Sequence, residues 1–277
     1  MDRAPKKAFA LLGVLATFGS AAASGPIVLP LRLAGHFPIV MARVDGLDVP
    51  LVFDTGISDT VVLEPSALDH IKAVLLDDFS KALDAKGNLK DSQKVRVSRL
   101  QLGDSVFTDV IGRLATHALT YKPPDVGQEG WLGTGLLKTY EVVLDYPHLK
   151  MTLVPLAAND TPTEYCHGTS VPFAVTTGAA EPFTKADTDM GQLTLGWDTG
   201  SQLSFVSQEV IHPGHAQVSG EDVITQRFVL GGTDFGRWQF KWMELHLPFF
   251  DGTIGYDFFA THVVCIDFPH RLVVVPS

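Results

Sequence analysis

Basic residues are in short supply in this chain: 21 Lys and Arg stand against 31 Asp and Glu, a formal net charge of -10. So acidic a protein suits neither nucleic acid nor an anionic membrane surface, since both call for a positive face. No phosphate-cradling glycine loop, nucleophile elbow or zinc pattern is present. His212 and His215 flank Pro213-Gly214, which spoils helical spacing for a metal pair and reads as a solvated loop. Neither a metal nor a cofactor is therefore expected. Cysteines number only two, Cys166 and Cys265. In an oxidising compartment a disulfide between them is permitted, and their spacing leaves bonded and free forms open.

Long apolar runs are also lacking. Ala8 to Phe18 is too short and too alanine-rich to span a bilayer comfortably. It follows the basic Arg3, Lys6 and Lys7 and precedes the small residues Ala21-Ala22-Ala23, so residues 1–23 read as a secretory signal cut after Ala23, with an uncleaved anchor as the alternative. Cleavage removes Asp2, Arg3, Lys6 and Lys7 and takes the formal charge from -10 to -12. The expected location is periplasmic or secreted, with no stable membrane association once the signal is gone.

What remains is mostly strand, and 45% of the chain is hydrophobic, enough to bury one large or two modest cores. Pro38 to Val44, the Asp45-Gly46 turn and Val49 to Phe53 read as a hairpin. Pro65 to Leu76 carries Leu68, Ile71, Leu75 and Leu76 at helical spacing, with Asp77-Asp78 as a solvated helix end. Later come expected strands at 142–145, 150–154, 171–175, 192–197, 223–230, 263–267 and 272–275. An interval of 122 residues relates Gly130 to Gly252, Asp145 to Asp267, Pro147 to Pro269 and His148 to His270. The chain is thus an internal repeat, with a lobe at 24–156, a linker at 157–163 rich in Ala, Asn, Asp, Thr and Pro, and a lobe at 164–277. The four tryptophans, Trp131, Trp197, Trp238 and Trp242, read as core or cleft-wall residues.

Two stretches carry the chemistry. Leu51-Val52-Phe53-Asp54-Thr55-Gly56 brings an apolar strand to an acid in a tight turn, and Leu195-Gly196-Trp197-Asp198-Thr199-Gly200 does so again. Two carboxylates held together in a dry cleft cannot both ionise cheaply, so they share a proton, one serving as acid and the other as base. Such a dyad can activate water and protonate a leaving amine without metal or covalent intermediate. A lone Asp-Thr-Gly is most often just a turn; two in register are a different matter.

On these residues the chain resembles a pepsin-type aspartic protease, each half similar to the retroviral-like protease unit. The resemblance covers most of the mature chain and includes Trp131-Leu132-Gly133 and Ile254-Gly255, which in that family pack behind the aspartate loops in a psi-shaped crossing. It implies an all-β, mostly antiparallel, bilobal fold with a cleft between two barrel-like lobes. It further implies a monomeric endopeptidase acting on peptide or protein substrates, with Asp54 and Asp198 as the dyad, supported by Thr55, Gly56, Thr199, Gly200 and Ser201. Ile57 stands where the family commonly has Ser, Thr or Ala, whereas Ser201 keeps a hydroxyl that could donate to Asp198. The resemblance also implies a flap from the first lobe, for which 84–95 is the candidate stretch, with Lys86, Gly87 and Asn88 at its tip and no tyrosine. A peptide-binding protein of the same fold that hydrolyses slowly or not at all, and an inhibitor-like relative, are the alternatives.

Overall fold

The computed structural model describes residues 25–83, 89–115, 127–157, 159–161, 164–175, 181–212, 214–244 and 250–276. The segment read as a signal lies outside these, as do Lys86, Gly87 and Asn88, and the linker region is only partly within them. Strands dominate, arranged in three sheets of six, eight and nine strands. No helix among the described residues is long and apolar enough to cross a membrane.

The six-stranded sheet joins the halves. Its two middle strands, Tyr140–Asp145 and Val263–Asp267, are antiparallel, and Val143 faces Cys265. Each is flanked by its hairpin partner, Lys150–Pro155 on one side and Leu272–Pro276 on the other. The turns between them repeat down to the side chains. Asp145 accepts from the His148 backbone N–H at 3.2 Å and lies 2.7 Å from His148 Nδ1. Asp267 does the same with His270, at 2.9 and 2.7 Å. A carboxylate at the start of a tight turn satisfies backbone donors that would otherwise be orphaned, so these aspartates are structural corners.

Each lobe is then a curled sheet around an aspartate-bearing strand. Leu47–Phe53 pairs in parallel with Gly130–Leu132, and Gly191–Trp197 pairs in parallel with Gly252–Ile254. On the other side of each glycine element the chain leaving the aspartate returns as an antiparallel strand, Val61–Leu63 or Phe205–Ser207. Alternate residues of these strands, among them Leu51, Phe53, Leu132, Leu195, Trp197 and Ile254, are wholly buried in one core that runs through both lobes and the joining sheet. At about 1.5–3 kcal/mol per fully buried large side chain, this core fixes where the strands end, and therefore where the aspartates sit.

Three local expectations are corrected. The helix read over 65–76 is one 3₁₀ turn, Pro65–Asp69; Leu75, Leu76, Asp77 and Asp78 belong to the strand Val74–Leu83. Only Ala67 and Ile71 of this stretch are buried, too little for an apolar helical stripe, and pairing with Leu89–Leu102 gives Leu75 a ladder partner in Val95. The strand read over 223–230 is broken at Gln226-Arg227 into Asp222–Thr225 and Phe228–Leu230. Asp189 holds the break open, accepting from the Gln226 N–H and from Thr225 Oγ1. The strand read over 171–175 is instead Gly168–Pro172 followed by a single bridge from Ala174 to Phe183.

The hairpin Val74–Leu83 and Leu89–Leu102 far exceeds its second-lobe counterpart, Gln217–Ser219 and Asp222–Thr225. Residues 89–95 of the candidate flap belong to the strand Leu89–Leu102, and 84–88 lie outside the described residues. The strand Val74–Leu83 carries Phe79, 58% exposed, just past an irregularity in the pairing.

Candidate active site

Asp54 and Asp198 stand one residue beyond the ends of their strands, held there alike. The Asp54 N–H donates to Leu132 O and the Asp198 N–H to Ile254 O, both at 3.0 Å. Gly56 N–H then donates to Asp54 Oδ1 at 2.8 Å, and Gly200 N–H to Asp198 Oδ1 at 2.7 Å. The two carboxyls come side by side: a Cβ on Gly56 would stand 3.1 Å from Asp54 Oδ1 and 3.4 Å from Asp198 Oδ1. Glycine is required for this approach: a Cβ on Gly200 would stand 2.5 Å from Asp54 Oδ2.

Thr55 and Thr199 lock the two loops together beneath the carboxyls. Thr55 Oγ1 donates to Trp197 O (2.6 Å) and accepts from the Thr199 N–H (3.0 Å). Thr199 Oγ1 donates to Phe53 O (2.8 Å) and accepts from the Thr55 N–H (3.1 Å). Both threonines are buried, so all four bonds are shielded from competing water.

The glycine elements close the crossing from behind. Thr134 N–H donates to Ile57 O at 2.8 Å, and Tyr256 N–H to Ser201 O at 2.9 Å. Any side chain at Gly133 or Gly255 would run into the backbone of 57–59 or of Leu203. Trp131, Leu132 and Ile254 are buried beside them. Near the second loop the lobes touch again, where Gln202 Nε2 donates to Gly35 O (2.7 Å) and His36 stacks on Tyr256 with ring centroids 4.4 Å apart.

Electrostatics follow from burial. Asp54 and Asp198 keep some surface open to solvent, yet their carboxyls are enclosed enough that burial is the leading cause lifting both above the usual carboxylate range. For Asp54 the neighbouring Asp198 charge adds to burial. The N–H groups of Gly56 and Gly200 pull the other way, as does Arg113 for Asp54; Arg113 is itself held by Asp59 at 2.6 Å. Burial and mutual repulsion therefore favour a single proton held by the pair.

Ser201 departs from expectation. Its hydroxyl donates to Leu203 O at 2.8 Å and not to Asp198, because the loop turns back at once and offers that carbonyl as the nearer acceptor. Neither loop, then, brings a hydroxyl at this position to its aspartate, and Ile57 packs instead against an apolar cluster that includes Trp131.

Several neighbours carry no sequence signal. Ser204 is pinned by Asp257, whose Oδ1 accepts from its N–H (2.8 Å) and hydroxyl (2.7 Å), and Ser204 Oγ in turn accepts from Gly255 N–H. Tyr146 is buried with a hydroxyl that has no hydrogen-bond partner among the described residues; burial, then the charges of Asp198 and Asp54, push that phenol well up. Glu181 is a third buried acid close to the pair. The disulfide between Cys166 and Cys265, which the sequence left open, is formed. Among the described residues no cluster of three or more His, Cys, Asp or Glu is placed to hold a metal.

This geometry defines a two-lobed acid site, and comparison with known proteins gives it a family context. Residues 40–136 match the family model described as aspartyl protease. The aspartic proteinase from Irpex lacteus is similar in structure at a TM-score of 0.64 and 12% identity, over 91% of this chain and 97% of that one. Basic 7S globulin from soybean is similar at 0.56 and 12% identity, over 91% and 94%. No curated protein matches the sequence. The fold is thus that of the bilobal pepsin-like proteins, and the family match lies in the first lobe.

Proposed function

We propose that the protein is an exported aspartic endopeptidase that acts as a monomer on peptide or protein substrates, with Asp54 and Asp198 as its catalytic dyad. The observation that carries this reading is the meeting of two partly buried carboxyls at the ends of matching strands, close enough that a Cβ on Gly56 would touch both. Asp198, ionised, takes a proton from a water lying between the carboxyls, and that water's oxygen attacks the scissile carbonyl carbon. Asp54 gives its proton to the carbonyl oxygen as the tetrahedral adduct forms. Proton transfer to the amide nitrogen then lets the C–N bond break, and the dyad returns to its one-proton state.

The parts around the dyad serve this cycle by not moving. The Thr55 and Thr199 bonds fix the two loops as one body, so the spacing between base and acid is set before substrate arrives. The long first-lobe hairpin is the element suited to cover a bound peptide and exclude water.

The test is incubation of the purified mature protein with a mixed peptide library from about pH 3 to about pH 8, with and without a transition-state mimic of aspartic proteases. Cleavage that the mimic suppresses is expected. Binding of peptides without cleavage would leave a peptide-binding protein on the same fold.

A further inference from the structure

The repeat makes the two sides of the dyad comparable position by position, and they differ. In each lobe the residue two before the aspartate lies on the same face of the strand as the aspartate, since side chains alternate with a period of two. In the first lobe this is Val52, opposite Ile39 on one neighbouring strand and Trp131 on the other. All three are buried in a small apolar cluster of their own. The second lobe puts Gly196, Phe183 and Thr253 in those positions. Gly196 leaves a hollow that Glu181 fills, for a methyl there would overlap Glu181 Oε1.

Glu181 is 8% exposed. Its Oε1 takes one long hydrogen bond from Thr253 Oγ1, 3.5 Å, and no Lys, Arg or His among the described residues pairs with it. An unpaired carboxyl is costly to bury, and the first lobe builds the same place from apolar side chains. Burial, and then the charges of Asp198 and Asp54, push Glu181 well above the usual range, which puts it within electrostatic reach of both aspartates. Phe205 stands opposite Thr253 on the adjoining strand, so Phe183 and Phe205 share the sheet face of Gly196 and Thr253.

We propose that Glu181, with Thr253, Phe183 and Phe205 around the hollow at Gly196, forms a pocket on the Asp198 side of the cleft that selects a lysine or arginine side chain of the substrate. The proposal rests on the proteolytic reading above and specifies its substrate class. A cation entering the pocket supplies the partner that Glu181 lacks, its apolar stem packs on the aromatic rings, and their faces favour its charge. In the free protein Glu181 keeps its proton, so binding a basic side chain releases that proton. Preference for basic peptides therefore strengthens with rising pH. The titratable groups facing Glu181 are Asp198 and Asp54, whose charges also attract a basic side chain; Glu181→Gln leaves both in place and so isolates the contribution of Glu181.

The experiment compares peptides that differ only in Lys, Arg or Leu at each position flanking the cut. kcat/KM is measured at several pH values for the wild type, Glu181→Gln and Gly196→Ala, with folding checked by unfolding midpoints. Binding to the Asp54→Asn form is measured in parallel by calorimetry. The wild type is expected to favour the basic peptide at one position by roughly 10-fold or more, and the ratio should fall to near one in both pocket variants. A wild-type ratio near one at every position, or a ratio unchanged by Glu181→Gln, overturns the pocket. If peptides bind the Asp54→Asn form but the wild type cuts none, the proteolytic reading falls and the Kd ratio still decides the pocket. If none is bound or cut, both fall.

Discussion

Val143 and Cys265 face each other across the two central strands, and they are related by the same 122-residue interval that separates Asp145 from Asp267. A strand paired with its own repeat copy is the geometry of a two-fold dimer interface, here built within one chain. The pairs on either side obey the same rule: Glu141 faces Asp267 and Asp145 faces Val263. The meeting of Asp54 and Asp198 is the consequence, since each strand pair carries its lobe's loop to the same axis.

Cys265 also ties that axis to Cys166, closing a loop whose ends are 99 residues apart. Replacing both cysteines by serine should lower stability by about 2–4 kcal/mol, mainly by freeing the unfolded chain. Denaturant unfolding of the two forms checks this. An unchanged midpoint would mean the disulfide adds nothing to the stability the sheets already supply.

Thr55→Val leaves Trp197 O without its donor and the Thr199 N–H without its acceptor. Each buried group left unpaired costs about 1–3 kcal/mol. Thr55→Ser keeps the hydroxyl and should keep most of the stability. Peptidase activity should fall with the valine and largely survive with the serine, as kcat/KM on one peptide would show.

Stability should depend on pH through the buried acids. Asp54 and Asp198 have raised folded-state pKa values, so their contribution is fully present below the unfolded carboxylate range, about pH 4. It is lost as the pH rises through the folded values. Asp54→Asn removes one titration, and its stability relative to wild type should therefore grow from about pH 4 upward and vanish below it. Unfolding midpoints across that range decide; a gap that shrinks as the pH rises would contradict the burial account.

Ile57 and Ser201 separate what the side chain types suggest from what the loop permits. A hydroxyl donating to an aspartate favours the ionised form, so Ile57→Ser should move the acid limb of kcat/KM toward lower pH. Ser201→Ala should leave the limb in place, because that hydroxyl is spent on Leu203 O. Coincident profiles for wild type and Ile57→Ser would show that position 57 does not set the dyad's protonation.

The sequence made the two loops legible because each part was written twice: a single Asp54-Thr55-Gly56 would read as a turn, but its copy at Asp198 and the matched Gly133 and Gly255 implied a site. Long-range pairing was less visible. Leu75 and Leu76 fit a helical spacing and were placed in a strand by the Leu89–Leu102 partner, which no local pattern announces. Ser201 carried the right group for Asp198, but its direction depends on where Leu203 turns. Glu181 gave no signal at all, since a lone acid in a loop normally points to water, and only the hollow at Gly196, on another strand, makes room for it.

The central claim is that Asp54 and Asp198 act as one unit on a peptide bond. Its most direct test is kcat/KM on a cleaved peptide for Asp54→Asn, Asp198→Asn and the double variant, each confirmed as folded. The account predicts that either single change removes nearly all hydrolysis and that the double variant is hardly worse than either. Near-normal turnover in one single variant would contradict it.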